Sequence, residues 1–230
     1  GVVALDGAVS VAAGAQFSVI ARVDGSVWTM GTNAHGELGV GDKKIVKATT
    51  PVKVSGITTA KKVAAGGQFA CALLADASMP CWGANSMRQL GDGTPTLRYA
   101  PVVVQGLSEG VVDMAAGFEH ICVKLASAAV RCWGKDTNGQ LGIGTNVSKS
   151  GNKRSAKPVE PKELGSVQEI RAGGNHTCAR RSGEDIWCWG DGTFGQRLDG
   201  KGLVLKAKSK TSYVPDGNSI PMLIGATHAL

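Results

Sequence analysis

Aromatic residues are scarce in this 230-residue chain, 5% in all, and its longest apolar runs fall far short of the ~18–20 residues a spanning helix needs. Even the apolar end, IPMLIGATHAL at 220–230, is too short, so no membrane span is expected in this chain. The 3.6-residue apolar pattern of amphipathic helices is missing, which excludes helical solenoids. No Cys-x-x-Cys occurs, which removes the thioredoxin-type redox motif, and none of the six cysteines is left over once they are paired by spacing. Acids are outnumbered by bases, 18 to 25, giving a formal charge of +7 and a pI near 9.2. If that charge is clustered, it suits an acidic partner. The chain opens on Gly1 rather than Met, so a leader peptide cannot be read from it. Glycine is abundant, at 33 residues, and tilts the expectation towards strands and turns.

The glycines are periodic. A Gly-x-x-aromatic element recurs at Gly14–Phe17, Gly66–Phe69, Gly117–His120 and Gly173–His176. A second glycine follows each, at Gly31, Gly83, Gly134 and Gly190, and then GELG (36–39), RQLG (88–91), GQLG (139–142) and GQRL (195–198). All five tryptophans lie within three residues before the second glycine. A Pro-Val element comes later in the first three units, at Pro51, Pro101 and Pro158. The period places units at approximately 9–60, 61–111, 112–166 and 167–219, with a truncated fifth at 220–230, where Gly225–His228 repeats the first anchor.

Each unit reads as short strands. Asp24-Gly25 between two β-rich runs signals a hairpin, because glycine accepts the positive φ that such a turn demands. Asp76 aligns with Asp24 and lies midway between Cys71 and Cys81, so these two cysteines should face each other across adjacent antiparallel strands. Cys122/Cys132 and Cys178/Cys188 share that spacing, and unit one carries Val19 and Thr29 at the two places. Opposed Cβ atoms sit ~4.5–5.5 Å apart, close enough for a disulfide after slight closing. Three such bridges imply an oxidising compartment, whereas the alternative is six buried thiols in a reducing one. A unit of this kind cannot bury both faces alone, so neighbours stack, and several short strands per ~50-residue period suggest propeller blades.

The joint pattern Ala-Gly-x-x-His-x-Cys … Cys-Trp-Gly … Gly-Gln-Leu-Gly-x-Gly-Thr, best seen at Ala116–Thr145, resembles the regulator of chromosome condensation repeat. The resemblance implies an all-β propeller, commonly of seven blades. Seven units at this spacing need roughly 360 residues, so the chain supplies about four blades and the start of a fifth. The cysteine pairs resemble secreted and receptor-borne members more than the nuclear founder. No inserted β-wedge of the kind the nuclear protein applies to its small GTPase is present to carry exchange activity over.

Other chemistry is weaker than the repeat. His120 and His176 could join the cysteines as metal ligands, but Phe69 stands at that position in unit two while both cysteines remain. The string Gly190-Asp-Gly-Thr-Phe-Gly195 spells a dinucleotide fingerprint, yet no helical segment follows it and its glycines are those of the repeat. His120, His176 and His228 share a register with two phenylalanines and read as buried hydrogen-bonding spacers between blades. His35 precedes GELG, and no triad is placed. Neither catalysis nor a cofactor is expected.

The segments after each GQLG-type element, 42–50, 92–100, 143–158 and 199–214, hold twelve bases against three acids. They include Lys43, Lys44, Lys47, Lys149, Lys153, Arg154, Lys157, Lys201, Lys206, Lys208 and Lys210, together with Arg98. Equivalent loops of a repeat protein emerge on one side, so one face should be basic. Asn146 heads a glycosylation sequon in a long loop, whereas a second sequon, at Asn175, falls in an enclosed anchor turn. The reading is a non-catalytic scaffold, extracellular or at the cell surface, that binds an acidic protein surface or acidic polysaccharide. Nucleic acid is a less suitable ligand. The alternative reading is a nuclear, chromatin-associated guanine-nucleotide exchange factor for a small GTPase.

Overall fold

A computed structural model describes residues 5–107, 109–144, 154–182, 185–197 and 222–224. Its strands form four antiparallel sheets, each a meander in chain order. The first contains β1 (Ala8–Ala13), β2 (Phe17–Arg22), β3 (Val27–Thr32) and β4 (Lys47–Lys53). The second contains β5 (Ala60–Ala65), β6 (Phe69–Leu74), β7 (Pro80–Gly83) and β8 (Arg98–Val103). The third runs β9 (Val111–Ala116), β10 (His120–Leu125), β11 (Val130–Lys135) and β12 (Arg154–Val159). The fourth runs β13 (Val167–Ala172), β14 (His176–Arg181), β15 (Ile186–Gly190) and β16 (Met222–Ile224). Strand β1 packs beside β5, β5 beside β9, and β9 beside β13. The first strand of each sheet therefore lies innermost, and the sheets are successive blades of a β-propeller.

The apolar residues of each sheet are buried against the next sheet. Phe17, Val19, Ala21, Val27, Val54 and Ile57 of the first blade pack on Val63, Ala70, Ala72 and Trp82 of the second. Phe69, Cys71, Leu73, Met79, Cys81 and Leu90 meet Met114, Ile121, Val123 and Trp133 of the third. Cys122, Val130, Cys132 and Leu141 meet Val167, Ile170, Ala179 and Trp189 of the fourth. Val63, Met114 and Ile170 are buried for this reason, whereas Val11, at the same register in β1, is 70% exposed.

The cysteines are opposed as their spacing requires, Cys71 to Cys81, Cys122 to Cys132 and Cys178 to Cys188. All three pairs are bonded, with Cα–Cα distances of 4.0, 4.1 and 4.1 Å. Val19 opposes Thr29 in the first blade. The hairpin at Asp24-Gly25 differs in detail from a two-residue turn. Only Gly25 has positive φ, Gly25 N–H donates to the Arg22 carbonyl, and Arg22 N–H donates to the Ser26 carbonyl. The loop is thus Val23-Asp24-Gly25 with glycine in the left-handed position. Asp24 fastens it by accepting from the Ser26 N–H and hydroxyl, which holds its carboxyl below the usual range. Ala77 and Ala128 take the glycine's place in the next two blades, both at φ 65°.

Strand β16 falls within 220–230, where the period places a fifth unit. It pairs with β15 as the outer strand of the fourth blade, Cys188 opposite Met222. Cys132 opposite Val159 and Cys81 opposite Val102 are the same pairing. Met222 is accordingly the fourth blade's counterpart of Val102 and Val159, and the sequence sets Pro221 before it as it sets Pro101 and Pro158 before them.

Candidate functional site

In a four-stranded meander, the β1–β2 turn and the β3–β4 loop emerge at one end and the other connections at the opposite end. Backbone bonds fix this end around the axis: Ala15 N–H donates to the Gly67 carbonyl, Gly67 to Phe118 and Phe118 to Gly174, at 2.9–3.0 Å. These turns line a hollow of about 240 Å³. At the opposite end, the carbonyls of Gly25, Ala77 and Ala128 accept N–H bonds from Ala60, Val111 and Val167 of the following blade.

Tryptophan joins the blades. The indole N–H of Trp82 donates to the Glu37 carbonyl, that of Trp133 to Gln89, and that of Trp189 to Gln140, at 2.8–2.9 Å. Each acceptor belongs to the GELG-type turn of the preceding blade. At Gly91 of that turn φ is +66°, and an added Cβ would stand 2.8 Å from Trp133 Nε1, so the turn requires glycine here twice over. The Glu or Gln side chain of the turn is buried in the first three blades. It accepts the backbone N–H two residues earlier: His35 to Glu37 at 2.7 Å, Met87 to Gln89 at 3.0 Å, and Asn138 to Gln140 at 2.8 Å. Phe194 N–H bonds Gln196 in the same way, at 2.7 Å.

The histidine spacers differ from one another. His120 is fully buried, and its Nε2 lies 2.9 Å from the Thr177 hydroxyl of the next blade. Thr177 donates onward to the Gln140 carbonyl at 3.1 Å, which leaves its oxygen to accept. Nε2 therefore carries the proton, and Nδ1 is a buried acceptor without a donor. Burial, then the neighbouring His176 and Lys135, lowers the His120 pKa to about 3, so the ring is neutral at physiological pH. His176, half-buried, is shifted the same way, mainly by burial.

Asparagine anchors the β3–β4 loop. Asn33 accepts the Leu38 N–H and donates to the Ile45 carbonyl, at 3.0 and 2.6 Å. Asn85 accepts from Leu90 and donates to the carbonyls of Thr94 and Thr96 and to Asp92. Asp136 holds this place in the third blade. Its Oδ1 accepts the Leu141 N–H at 2.9 Å, while Oδ2 is buried without a partner. Burial raises its pKa to about 6, against the opposing Leu141 bond.

The exposed bases at this end include Lys43, Lys44, Lys47, Arg154 and Lys157, while Arg88, Lys135 and Arg197 are half-buried. Arg154 reaches across to the Ser86 carbonyl of the second blade. Arg98 is instead structural, pairing with the buried Asp92 at 2.7 Å. Among the acids here, Glu37, Asp92 and Asp136 are buried and Glu119 pairs with Lys135 at 2.6 Å, whereas Asp42 is exposed, accepting the Lys44 N–H, and Asp191 is half-buried, accepting from Thr193. Lys149, Lys153, Lys201, Lys206, Lys208, Lys210, Asn146 and His228 lie outside the described residues. Asn175 is half-buried, its carboxamide oxygen accepting from Gln140 at 3.4 Å. The signal for the Glu/Gln anchor was in the sequence as its recurrence at 37, 89, 140 and 196. Its role required the turn geometry.

The profile described as Regulator of chromosome condensation (RCC1) repeat matches residues 8–37, 60–89, 111–140 and 167–196, and a second profile of that repeat matches 24–73, 81–123 and 129–180. The chain belongs to the RCC1-repeat family. It is 30% identical over 188 residues to the human E3 ubiquitin-protein ligase HERC2, covering 80% of this chain and 4% of that protein. It is 26% identical to the ultraviolet-B receptor UVR8 of Arabidopsis thaliana, covering 81% of this chain and 42% of the receptor. The secretion-regulating guanine nucleotide exchange factor of Bos taurus is 27% identical, with 80% and 40% covered. Among solved structures, yeast RCC1 (Prp20) bound to Kap60 superposes with a TM-score of 0.75 at 19% identity, covering 94% of this chain and 48% of that one. Prp20p from Saccharomyces cerevisiae, described with its binding to Gsp1p and histones, gives 0.74 at 20% identity, covering 94% and 50%. The RCC1-repeat chain thus spans about half the length of these solved propellers and less of its curated relatives. Among its described residues no helix is long and apolar enough to cross a membrane.

Proposed function

We propose that this chain is a non-catalytic protein-interaction module, placed outside the cell or at its surface, that docks an acidic protein partner on the end carrying its β3–β4 loops. One observation carries the reading. At that end Lys43, Lys44, Lys47, Arg154 and Lys157 project to solvent, whereas Glu37, Asp92 and Asp136 are buried and Asp92 and Glu119 are each paired with a base, so the exposed charge there is predominantly positive. Three disulfides within hairpins support an oxidising compartment. The cysteines are consumed by these bonds, and His120 is buried and neutral, so neither supplies a nucleophile or base.

The test is binding to poly-L-glutamate by the purified chain at graded salt. Binding should weaken steeply with salt, and Lys43→Glu with Lys44→Glu and Arg154→Glu should reduce affinity about tenfold or more. Unchanged affinity in that variant would refute the docking face, and heparin bound in preference to poly-L-glutamate would make the ligand polysaccharide instead. A second reading, guanine-nucleotide exchange on a small GTPase, is favoured by the similarity to the secretion-regulating exchange factor. Accelerated nucleotide release from a GTPase would establish it.

A further inference from the structure

We infer that the blade tips His35, Met87, Asn138 and Phe194, with Phe118 on the axial side of them, form a specificity row that selects bulky apolar side chains within an acidic peptide segment. The inference rests on the docking reading above and sharpens it, because positive charge attracts acidic chains without distinguishing among them.

The tips are one structural position repeated in four blades. Behind each stands the same device, a Glu or Gln side chain that holds the tip's own N–H, followed by the Trp-capped turn where a next blade is described. The residue after each tip, Gly36, Arg88, Gly139 or Gly195, has positive φ and completes the turn. The scaffold is therefore constant and rigid, while the residue it displays changes from imidazole to thioether to carboxamide to phenyl. A position whose backbone is fixed while its side chain varies suits recognition, because binding there orders little of the backbone.

Two of the apolar groups at this end are large and open. Phe194 is 81% exposed, and Phe118, whose ring lies over Gly67, is 48% exposed. Exposed phenyl rings on a rigid support are the kind of group that dominates interface energy when covered. Met87 adds an adaptable apolar surface, and the Arg154 guanidinium bonds the Ser86 carbonyl beside it. Arg88 follows Met87 directly, and Lys43 and Lys44 stand in the same β3–β4 loop as His35, so bases share these loops with the tips. The matching partner is an extended acidic segment whose apolar residues fall between its carboxylates.

Fluorescence anisotropy of the chain with two labelled peptides tests this, one repeating Glu-Glu-Phe and the other Glu-Glu-Ser. The phenylalanine peptide should bind about tenfold tighter, the equivalent of one well-placed apolar contact. Phe194→Ser with Phe118→Ser should erase that difference yet leave the salt-sensitive binding of the serine peptide intact. Both residues are open enough that the variant should melt with the parent chain. Equal affinities for the two peptides, or a difference that survives the double variant, would overturn the specificity row while leaving the basic docking face standing. If neither peptide binds, the docking reading fails and the row fails with it.

Discussion

Asp136→Asn should stabilise this protein at neutral pH and do little at pH 4. The carboxyl is 1% exposed, uses one oxygen on the Leu141 N–H and leaves the other without a donor. Its folded pKa is raised from 3.8 to about 6. A raised acid pKa means that the folded state binds more protons than the unfolded state between those values, so stability falls as pH rises from about 4 to about 6 and stays lower above. A shift of about two units corresponds to at most ~3 kcal/mol, and relaxation around the carboxylate reduces it, so ~1–3 kcal/mol is expected. Asparagine removes that titration and supplies the donor that Asn33 and Asn85 use to hold their loops. For a chain of this size each kcal/mol moves Tm by roughly 2–4 °C. Thermal melts followed by circular dichroism should therefore show the variant several degrees above the parent at pH 8, converging by pH 4. A gap independent of pH, or a variant less stable at pH 8, would refute the account of Asp136.

The joint between blades makes further claims. Trp133→Phe removes the donor to the Gln89 carbonyl and should cost about 1–3 kcal/mol in urea unfolding, while Gly91→Ala, strained at positive φ and crowded against the indole, should cost about 2 kcal/mol or more. A cost below ~0.5 kcal/mol for either would remove the joint's energetic role. His120→Phe alone strips Thr177 of its donor, whereas His120→Phe with Thr177→Val restores an apolar pair like Phe69 with Ile121. A double-mutant cycle should give coupling of about 0.5–3 kcal/mol, and strict additivity would exclude it. Cys122→Val with Cys132→Thr copies the Val19–Thr29 pair and should cost about 2–4 kcal/mol by chemical unfolding, with the fold retained. Titration of the denatured, unreduced protein should find no free thiol.

Periodicity was strong enough in this chain to yield blades, hairpins and the partnering of every cysteine, because each depends on register within one unit. What lay between units was harder to read. Trp133 is visible as a repeated residue, but the carbonyl it seeks belongs to Gln89, 44 residues earlier, and no local pattern connects them. Counting alone gives Met222–Ile224 to a fifth unit, because Gly225 falls at an anchor's interval, whereas the strand pairs with β15. Pro221 was the available clue. Basic residues showed that a charged face could exist, but only the structure showed that Glu37 and Asp92 are withdrawn from it. Arg98, counted among those bases, turned out to neutralise one of them.

The indole bond to the preceding turn also changes what a transplantable piece of this protein is. Cutting at the boundary suggested by the letters of the period severs Glu37 from Trp82, or Gln89 from Trp133, and carries half of two joints away. A cassette that survives grafting should be cut out of phase, running from one turn through the next blade's tryptophan. An engineer exchanging display loops should leave both ends of that bond in place and vary only the tip between them.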